Sequence, residues 1–107
     1  MALVLGRRDG ESVIAETKDG IEVVVTLLSH RYNGRDKVAI IRVDYENGDQ
    51  VEHDLSKNEA NVAEICSSPY VGVSLMDAQR NQTRLAFHGT KEDVTFLRRE
   101  VKERKNG

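Results

Sequence analysis

The chain consists largely of short apolar runs, many of them β-branched, separated by polar turn residues. Runs at 21–28 and 37–45 are long and apolar enough to form buried strands. Residues 50–55 alternate apolar and polar side chains, as in a strand with one solvated face. Between the last two runs, the Asn-Gly pair at 47–48 favours a tight hairpin turn. These signals together predict a β-meander over about 20–55.

Further strands are predicted near both ends of the chain. The opening stretch MALVLGRRDGESVI has apolar runs on both sides of Asp9-Gly10, a pair typical of a tight hairpin turn. In the second half the β pattern resumes at 70–76, 83–87 and 94–97, with polar turn residues between the runs. We therefore expect one hairpin at the start and three strands in the second half.

One short helix is predicted in the middle of the chain, over about 57–66. Ser56 and Glu59 have the spacing of a capping box, in which each side chain bonds the other residue's backbone N–H. The Ser-Ser-Pro stretch at 67–69 would end the helix. The apolar residues that would share one helical face are Val62, Ile65 and Cys66.

The net charge of −2 hides an asymmetry along the chain. Residues 80–107 contain eight basic and four acidic residues, whereas residues 16–79 contain six basic and twelve acidic ones. Clustered positive charge is typical of a surface that binds nucleic acid. The alternative is an ordinary solvated face, because charge runs are common on protein surfaces.

Length and the reactive residue types narrow the class of protein. A chain of 107 residues forms one small domain, for which oligomerisation is a reasonable expectation. His30, His53 and His88 lie far apart without metal-ligand spacing, and Cys66 is alone, so we expect no enzyme, no metal and no cofactor. Because no run of about 18 apolar residues and no signal peptide are present, we expect a cytoplasmic protein without a membrane partner.

Two blocks of the chain resemble one known family. LVLGRRDGESVIA (3–15) has an apolar strand, Arg-Arg and then Gly-Glu. NQTRLAFHGTKEDVTFLRREV (81–101) has an Asn-Gln-x-Arg strand, a short loop with Lys-Glu and a strand ending in Arg. The stretch at 70–80 fits the strand before it. In this order the blocks resemble the carbon storage regulator family (CsrA/RsmA), over roughly half of the chain.

The resemblance implies a mainly β fold with short helices: a CsrA-like, intertwined homodimeric β-sandwich or barrel. In such dimers the first strand of one protomer lies beside the last strand of the other. We expect residues 1–15 and 70–107 to form this core, and residues 16–69 to form an insertion containing the meander and the helix. A rival alignment takes 21–45 as the family's third and fourth strands. A partial internal duplication is a further alternative, because VVVTLL…VAIIRV resembles VGVSLM…TRLAF.

The resemblance also implies a function. Such proteins bind GGA motifs in the hairpin loops of mRNA leaders, at two equivalent sites per dimer, and control translation initiation or mRNA stability. The expected partners are therefore single-stranded RNA and a second copy of the chain, or a higher oligomer formed through the insertion, but not DNA. Carried over by position, the RNA-binding residues are Leu5, Arg7, Arg8, His88, Gly89, Thr90, Lys91, Val94, Phe96 and Arg98.

Two alternatives remain open from the sequence. Phe96 could stack on a base, or it could simply pack in the core, as aromatic residues in strands usually do. The whole chain could also be a protein-interaction or oligomerisation module on a CsrA-like scaffold, with the acidic insertion as the partner surface.

Overall fold

The computed structural model describes residues 2–32, 37–57 and 62–98. Over these ranges the chain forms nine β-strands and no helix, so the mainly β prediction is confirmed. The described ranges thus contain no helix long and apolar enough to cross a membrane. The strands are β1 (Ala2–Arg7), β2 (Ser12–Thr17), β3 (Glu22–Arg31), β4 (Val38–Asp44), β5 (Gln50–Ser56), β6 (Ala63–Ser67), β7 (Tyr70–Ala78), β8 (Thr83–His88) and β9 (Val94–Arg98).

The strands form two antiparallel sheets that share one core. The four-stranded sheet has the order β1-β8-β7-β6, and the five-stranded sheet has the order β5-β4-β3-β2-β9. Val25 and Ile41 of the five-stranded sheet are at most 1% exposed, as are Val73 and Phe87 of the four-stranded sheet. Burying a side chain of this size contributes about 1.5–3 kcal/mol, so this shared core is the main source of stability.

The predicted meander is confirmed as three consecutive antiparallel strands, β3, β4 and β5. The turn between β4 and β5 depends on Gly48, whose φ of +94° suits glycine. Tyr45 and Asp49 close this turn, with the Tyr45 N–H donating to the Asp49 carbonyl over 2.9 Å. The Asn-Gly signal therefore identified a true hairpin.

The predicted opening hairpin is wrong. Gly10 has a φ of +89°, so the chain does turn at Asp9-Gly10. However, β1 pairs with β8, whereas β2 pairs with β3 and β9. The turn therefore carries the chain from one sheet to the other. A tight-turn signal specifies a change of direction, but it does not specify which strands become hydrogen-bonded neighbours.

The predicted helix over 57–66 is also wrong where the structure describes it. Residues 63–67 form strand β6, which pairs with the outer edge of β7. Ile65 is buried there, and Cys66 packs against the core. A short apolar run fits either a helix or a strand, and here pairing with β7 outweighs the weak tendency of ten residues to form a helix. Residues 58–61 lie outside the described ranges.

Residues 16–69, expected as an insertion, are continuous with the rest of the fold. β3 pairs with β2 and extends the sheet that also contains β9, while β6 joins the other sheet. The basic stretch after Arg98 lies outside the described residues.

A bulge interrupts the pairing of β7 with β8. Leu75 lies opposite Leu85 and Asp77 lies opposite Arg84, so Met76 has no partner on β8. Bulges bend a strand and change the direction of its side chains. Met76 is half exposed as a result, at 50%, and it faces the depression described below.

Candidate nucleic-acid interface

The first and last strands meet at one depression on the surface. β1 is an edge of the four-stranded sheet and β9 is an edge of the five-stranded sheet. Val4 and Gly6 of β1 and Arg98 of β9 line a depression of about 480 Å³, which we call the β1–β9 cleft. Its other lining residues are Met76, Asp77, Gln82 and Arg84.

Two arginines give the β1–β9 cleft its positive charge. Arg84 extends from β8 and Arg98 from the end of β9, and both are exposed. Neither forms an ion pair with a residue in the described ranges. A guanidinium group carries a fork of N–H donors and remains charged at physiological pH. Both groups are thus available to an anionic ligand.

The side chain of Gln82 occupies the space over Gly6. A Cβ atom placed on Gly6 would lie 2.2 Å from Gln82 Nε2 and 2.4 Å from its Cδ. Because Gly6 has no side chain, the amide of Gln82 can lie against β1 beside the two arginines. The β1–β9 cleft therefore combines amide and guanidinium donors over a small area.

The acidic residue of the β1–β9 cleft, Asp77, forms ion pairs with two lysines. Its Oδ1 lies 2.7 Å from Lys37 Nζ and 3.0 Å from Lys57 Nζ, and Gln79 Nε2 donates to its Oδ2 over 2.5 Å. The Lys37 ammonium, with the Gln79 amide and Lys57, holds the pKa of Asp77 well below its usual range. Asp77 is therefore ionised at neutral pH, and its charge is offset by these two lysines rather than by the arginines.

A second depression of about 420 Å³ lies beside the β1–β9 cleft, and Arg8 and Arg80 line it. His30 also lines this depression. Its Nδ1 lies 2.6 Å from Asp9 Oδ1, and its Nε2 lies 3.0 Å from the Gln79 backbone oxygen. These contacts fix the turn after β1 against the turn after β7. The residues of the second depression are near neighbours in sequence of Gly6 and Gln82, and its two arginines outnumber its one acidic residue, Asp9.

Arg7 lies beneath this surface. Its side chain is 5% exposed, its Nε donates to the Gly6 carbonyl over 2.7 Å, and its Nη1 donates to the Ser12 carbonyl over 3.2 Å. Its register opposite Thr83 turns it towards the interior. Arg7 therefore holds the crossing between β1 and β2, and the structure gives it no direct access to a ligand.

The predicted apolar contacts lie in or against the core. Val94 is 5% exposed, while Leu5 and Phe96 are partly buried and pack against the core. The ring of Phe96 lies 5.3 Å from that of Phe87, in a tilted arrangement. Of the two alternatives for Phe96, the structure shows packing against the core.

The predicted loop residues lie at the other end of β1. His88 pairs with Ala2, and its Nε2 lies 2.9 Å from Ser74 Oγ. Gly89 lies next to the Phe96 ring, and both Thr90 and Lys91 are exposed. None of these four residues lines the β1–β9 cleft. They lie towards the opposite end of the β1–β8 strand pair, where Ala2 pairs with His88.

Lys18 anchors this loop to the turn between β2 and β3. The Lys18 N–H donates to the Asp93 carbonyl over 2.8 Å, and Lys18 Nζ lies 3.1 Å from Asp93 Oδ1. The Thr90 hydroxyl and the Lys18 ammonium lower the pKa of Asp93. The loop is thus held from both sheets.

The structure adds residues that the resemblance did not single out. Gln82 and Arg84 line the β1–β9 cleft and Arg80 lines the second depression. Gln82 and Arg84 belong to the Asn-Gln-x-Arg pattern, and Arg80 and Arg84 belong to the positively charged segment that begins at Arg80, but neither signal marked them as ligand contacts. Their convergence with Arg98 depends on strand pairing across the whole chain.

Comparison of the chain with protein-family models, with curated proteins and with solved structures finds no match. In the described ranges, no group of three or more His, Cys, Asp or Glu side chains is placed to hold a metal ion.

Proposed function

We propose that this chain is an RNA-binding, post-transcriptional regulator that holds an unpaired, GGA-containing loop in the β1–β9 cleft. Occupying such a loop in an mRNA leader would control translation initiation or mRNA stability. The observation that carries the proposal is the meeting of Val4 and Gly6, from the start of the chain, with Arg98, from its end. The resemblance to the carbon storage regulator family supports the proposal through Arg98, the one residue carried over from that family that lines the β1–β9 cleft.

The side chains of the β1–β9 cleft suit guanine and phosphate. A guanidinium fork, as in Arg84 or Arg98, can donate two hydrogen bonds to guanine O6 and N7, or it can bind a phosphate. Gln82 adds an amide that both donates and accepts. The exposed Val4 and Met76 side chains offer apolar contact to a base face. Such contacts require bases that are splayed out, which loops provide and duplexes do not.

Two exposed acidic residues of the acidic middle segment lie far from Arg98 in the sheet. Glu52 and Asp54 are exposed on β5, at the edge of the five-stranded sheet opposite β9. Four strand spacings separate these edges, about 19 Å along the sheet. Because this exceeds the Debye length of about 8 Å at physiological salt, their repulsion of RNA at Arg98 is largely screened.

The predicted residues take different roles in this proposal. Arg98 contacts RNA directly, and the exposed Arg8 binds phosphate from the second depression. Arg7 positions the start of the cleft, and Phe96 and Val94 support β9 from the core. The loop 88–91 offers backbone groups to bases that extend along β1 and β9.

The test is a titration of the protein with a hairpin whose loop contains GGA, and with the same hairpin carrying GCA. A wrong base at a bidentate contact costs about 1–3 kcal/mol, so we expect the GGA hairpin to bind roughly tenfold more tightly or better. Equal affinity for both hairpins at the same salt concentration would contradict the proposal.

The second candidate function, protein interaction, has one observation in its favour. Among the described residues the outer edge of β5 is unpaired, and Val51 on it is 41% exposed. Exposed strand edges can pair with another chain. If Val51→Lys abolished self-association while GGA and GCA hairpins bound equally, this candidate would replace the first.

A further inference from the structure

The two halves of the chain repeat one bulged hairpin. In β3–β4, Leu27 lies opposite Ile41 and Ser29 opposite Ile40, which leaves Leu28 unpaired. In β7–β8, the unpaired residue is Met76, again between a paired leucine and a paired polar residue. The local sequences match, with Val-Thr-Leu-Leu-Ser at 25–29 and Val-Ser-Leu-Met-Asp at 73–77.

Burial follows the same correspondence. The inward positions of β3 are Val23, Val25 and Leu27, and those of β7 are Val71, Val73 and Leu75, all of them buried. On the partner strands the buried residues Ala39, Ile41 and Val43 correspond to Thr83, Leu85 and Phe87. Since register, bulge and burial all agree, β3–β4 and β7–β8 are two copies of one unit.

The neighbouring strands extend the correspondence. The sheet orders β5-β4-β3-β2 and β1-β8-β7-β6 place β5 at the position of β1, and β2 at the position of β6. Arg84 and Ile40 correspond, because each pairs with the first residue after the bulge, Asp77 or Ser29. Gly6 on β1 lies opposite Arg84, and Asp54 on β5 lies opposite Ile40, so Gly6 corresponds to Asp54. Val4 likewise corresponds to Glu52. Two neutral positions of the β1–β9 cleft are therefore acidic in the other half.

The β1–β9 cleft has a counterpart with different chemistry. A depression of about 340 Å³ is lined by Ser29, Val38 and Ile40, which correspond to Asp77, Gln82 and Arg84. We call it the counterpart cleft. The amide and the guanidinium group are both replaced by aliphatic side chains there. His30 and Arg31 complete its lining.

The strand that supplies Arg98 is not repeated. β9 pairs with β2, but within the described ranges no strand pairs with the outer edge of β6, the counterpart of β2. The counterpart cleft therefore lacks an equivalent of Arg98 among those residues. It also has Glu52 and Asp54 on its edge strand.

We infer that one chain forms by itself the two-sheet core that the resemblance assigns to a pair of protomers, and that it binds one RNA loop, at the β1–β9 cleft only. The inference rests on the proposed function. The resemblance implies a homodimer with two equivalent sites, whereas we infer a monomer with one site. Such a protein covers a single loop and cannot bridge two loops in one transcript.

The test measures mass and stoichiometry together. The full chain is examined by native mass spectrometry, alone and with an RNA carrying one or two GGA hairpins. We expect one chain in the free protein and one chain on the single hairpin. On the two-hairpin RNA we expect two chains, bound independently of each other.

Two results would overturn the inference while leaving RNA binding intact: a complex of two chains with the single hairpin, or one chain holding two single-hairpin RNAs. A failure of the protein to prefer GGA over GCA would instead overturn the proposed function, and this inference with it. The two failures are therefore distinguishable in one set of samples.

Matched variants locate the single site. Arg84→Ile gives the β1–β9 cleft the residue of its counterpart, and we expect a loss of affinity of roughly tenfold or more. Ile40→Ala, at the corresponding position, should leave RNA affinity within about twofold. Circular dichroism confirms that both variants are folded. Equal effects of the two substitutions would overturn the assignment of RNA to one cleft.

Discussion

The β1–β9 cleft and the counterpart cleft are formed on corresponding bulged hairpins, yet the first has Gln82 and Arg84 where the second has the aliphatic Val38 and Ile40, beside His30 and Arg31. Arg84 faces the first and Ile40 occupies the same position in the second. The backbone pairing is common to both. The difference shows that one backbone arrangement can carry two surfaces of different chemistry, and in the proposed function a few outward side chains decide which of the two binds RNA.

The largest effect is expected in the core that both halves share. Phe87 is fully buried, so Phe87→Ala should lower the free energy of unfolding by about 3–5 kcal/mol. Val43 occupies the corresponding position, and Val43→Ala removes only two methyl groups, for about 2 kcal/mol. Urea denaturation measures both variants. A smaller loss for Phe87→Ala than for Val43→Ala would contradict the proposed equivalence of the two positions.

Removing the guanidinium group that has no counterpart should have the next largest effect. We expect Arg98→Ala to weaken GGA-hairpin binding by about 1–3 kcal/mol and to reduce the salt dependence of affinity by about one phosphate contact. Arg42→Ala is the charge-matched control, because Arg42 lies on β4 and pairs with Asp44 over 3.1 Å. Fluorescence anisotropy at several salt concentrations measures both. Similar losses for the two variants would remove Arg98 from the site.

A smaller effect is expected at Asp77, which has Ser29 as its counterpart. Lys37 and its neighbours hold the pKa of Asp77 well below that of an unfolded chain, which is about 3.9. A depressed pKa stabilises the fold above the unfolded value, and this stabilisation is lost as pH falls through the folded pKa. We therefore expect Asp77→Asn to be less stable than the parent protein at pH 7.

The stability difference should narrow as pH falls below about 4, because Asp77 then becomes protonated in the unfolded chain while it stays ionised in the folded protein, and this proton uptake favours unfolding of the parent protein. Urea denaturation of both proteins from neutral to acidic pH gives this comparison. A difference that stays constant down to the lowest pH would show that the Asp77 charge does not stabilise the fold.

The smallest effect on stability is expected from Gly6→Ala. The added methyl group would displace the flexible end of Gln82 rather than backbone, so the free energy of unfolding should change by about 0.5 kcal/mol or less. Affinity for GGA relative to GCA should fall, because the amide leaves its place beside the arginines. Gly48→Ala is the contrasting variant, since its positive φ makes any side chain strained. Unchanged discrimination by Gly6→Ala would exclude Gln82 from base recognition.

The sequence predicted strand positions well because its apolar periods and turn residues are local signals. The runs that became β3, β4 and β5 were all recognised, and so was the Asn-Gly turn. Strand partners were harder to predict, because pairing joins distant segments. Asp9-Gly10 signals a turn whether the next strand returns to the same sheet or crosses to the other. Residues 63–67 became a strand because β7 offered an unpaired edge.

The candidate site was only partly accessible from the sequence. Arg98 could be singled out by its motif, and the positive charge of its segment pointed to an anion-binding surface. The burial of Arg7 could not be predicted from the sequence, because it depends on the register that places Arg7 opposite Thr83. The same pairing brings Gly6 against Gln82 and Arg84, and no local pattern encodes that contact.

The central claim is that only one of the two related clefts binds RNA. Its most direct test is NMR mapping of the ¹⁵N-labelled protein as a GGA hairpin is added. We predict the largest amide shifts at Gly6, Gln82 and Arg98, with little change at Val38, Ile40 and Asp54. Comparable shifts at both clefts, or shifts confined to the second group, would contradict the account.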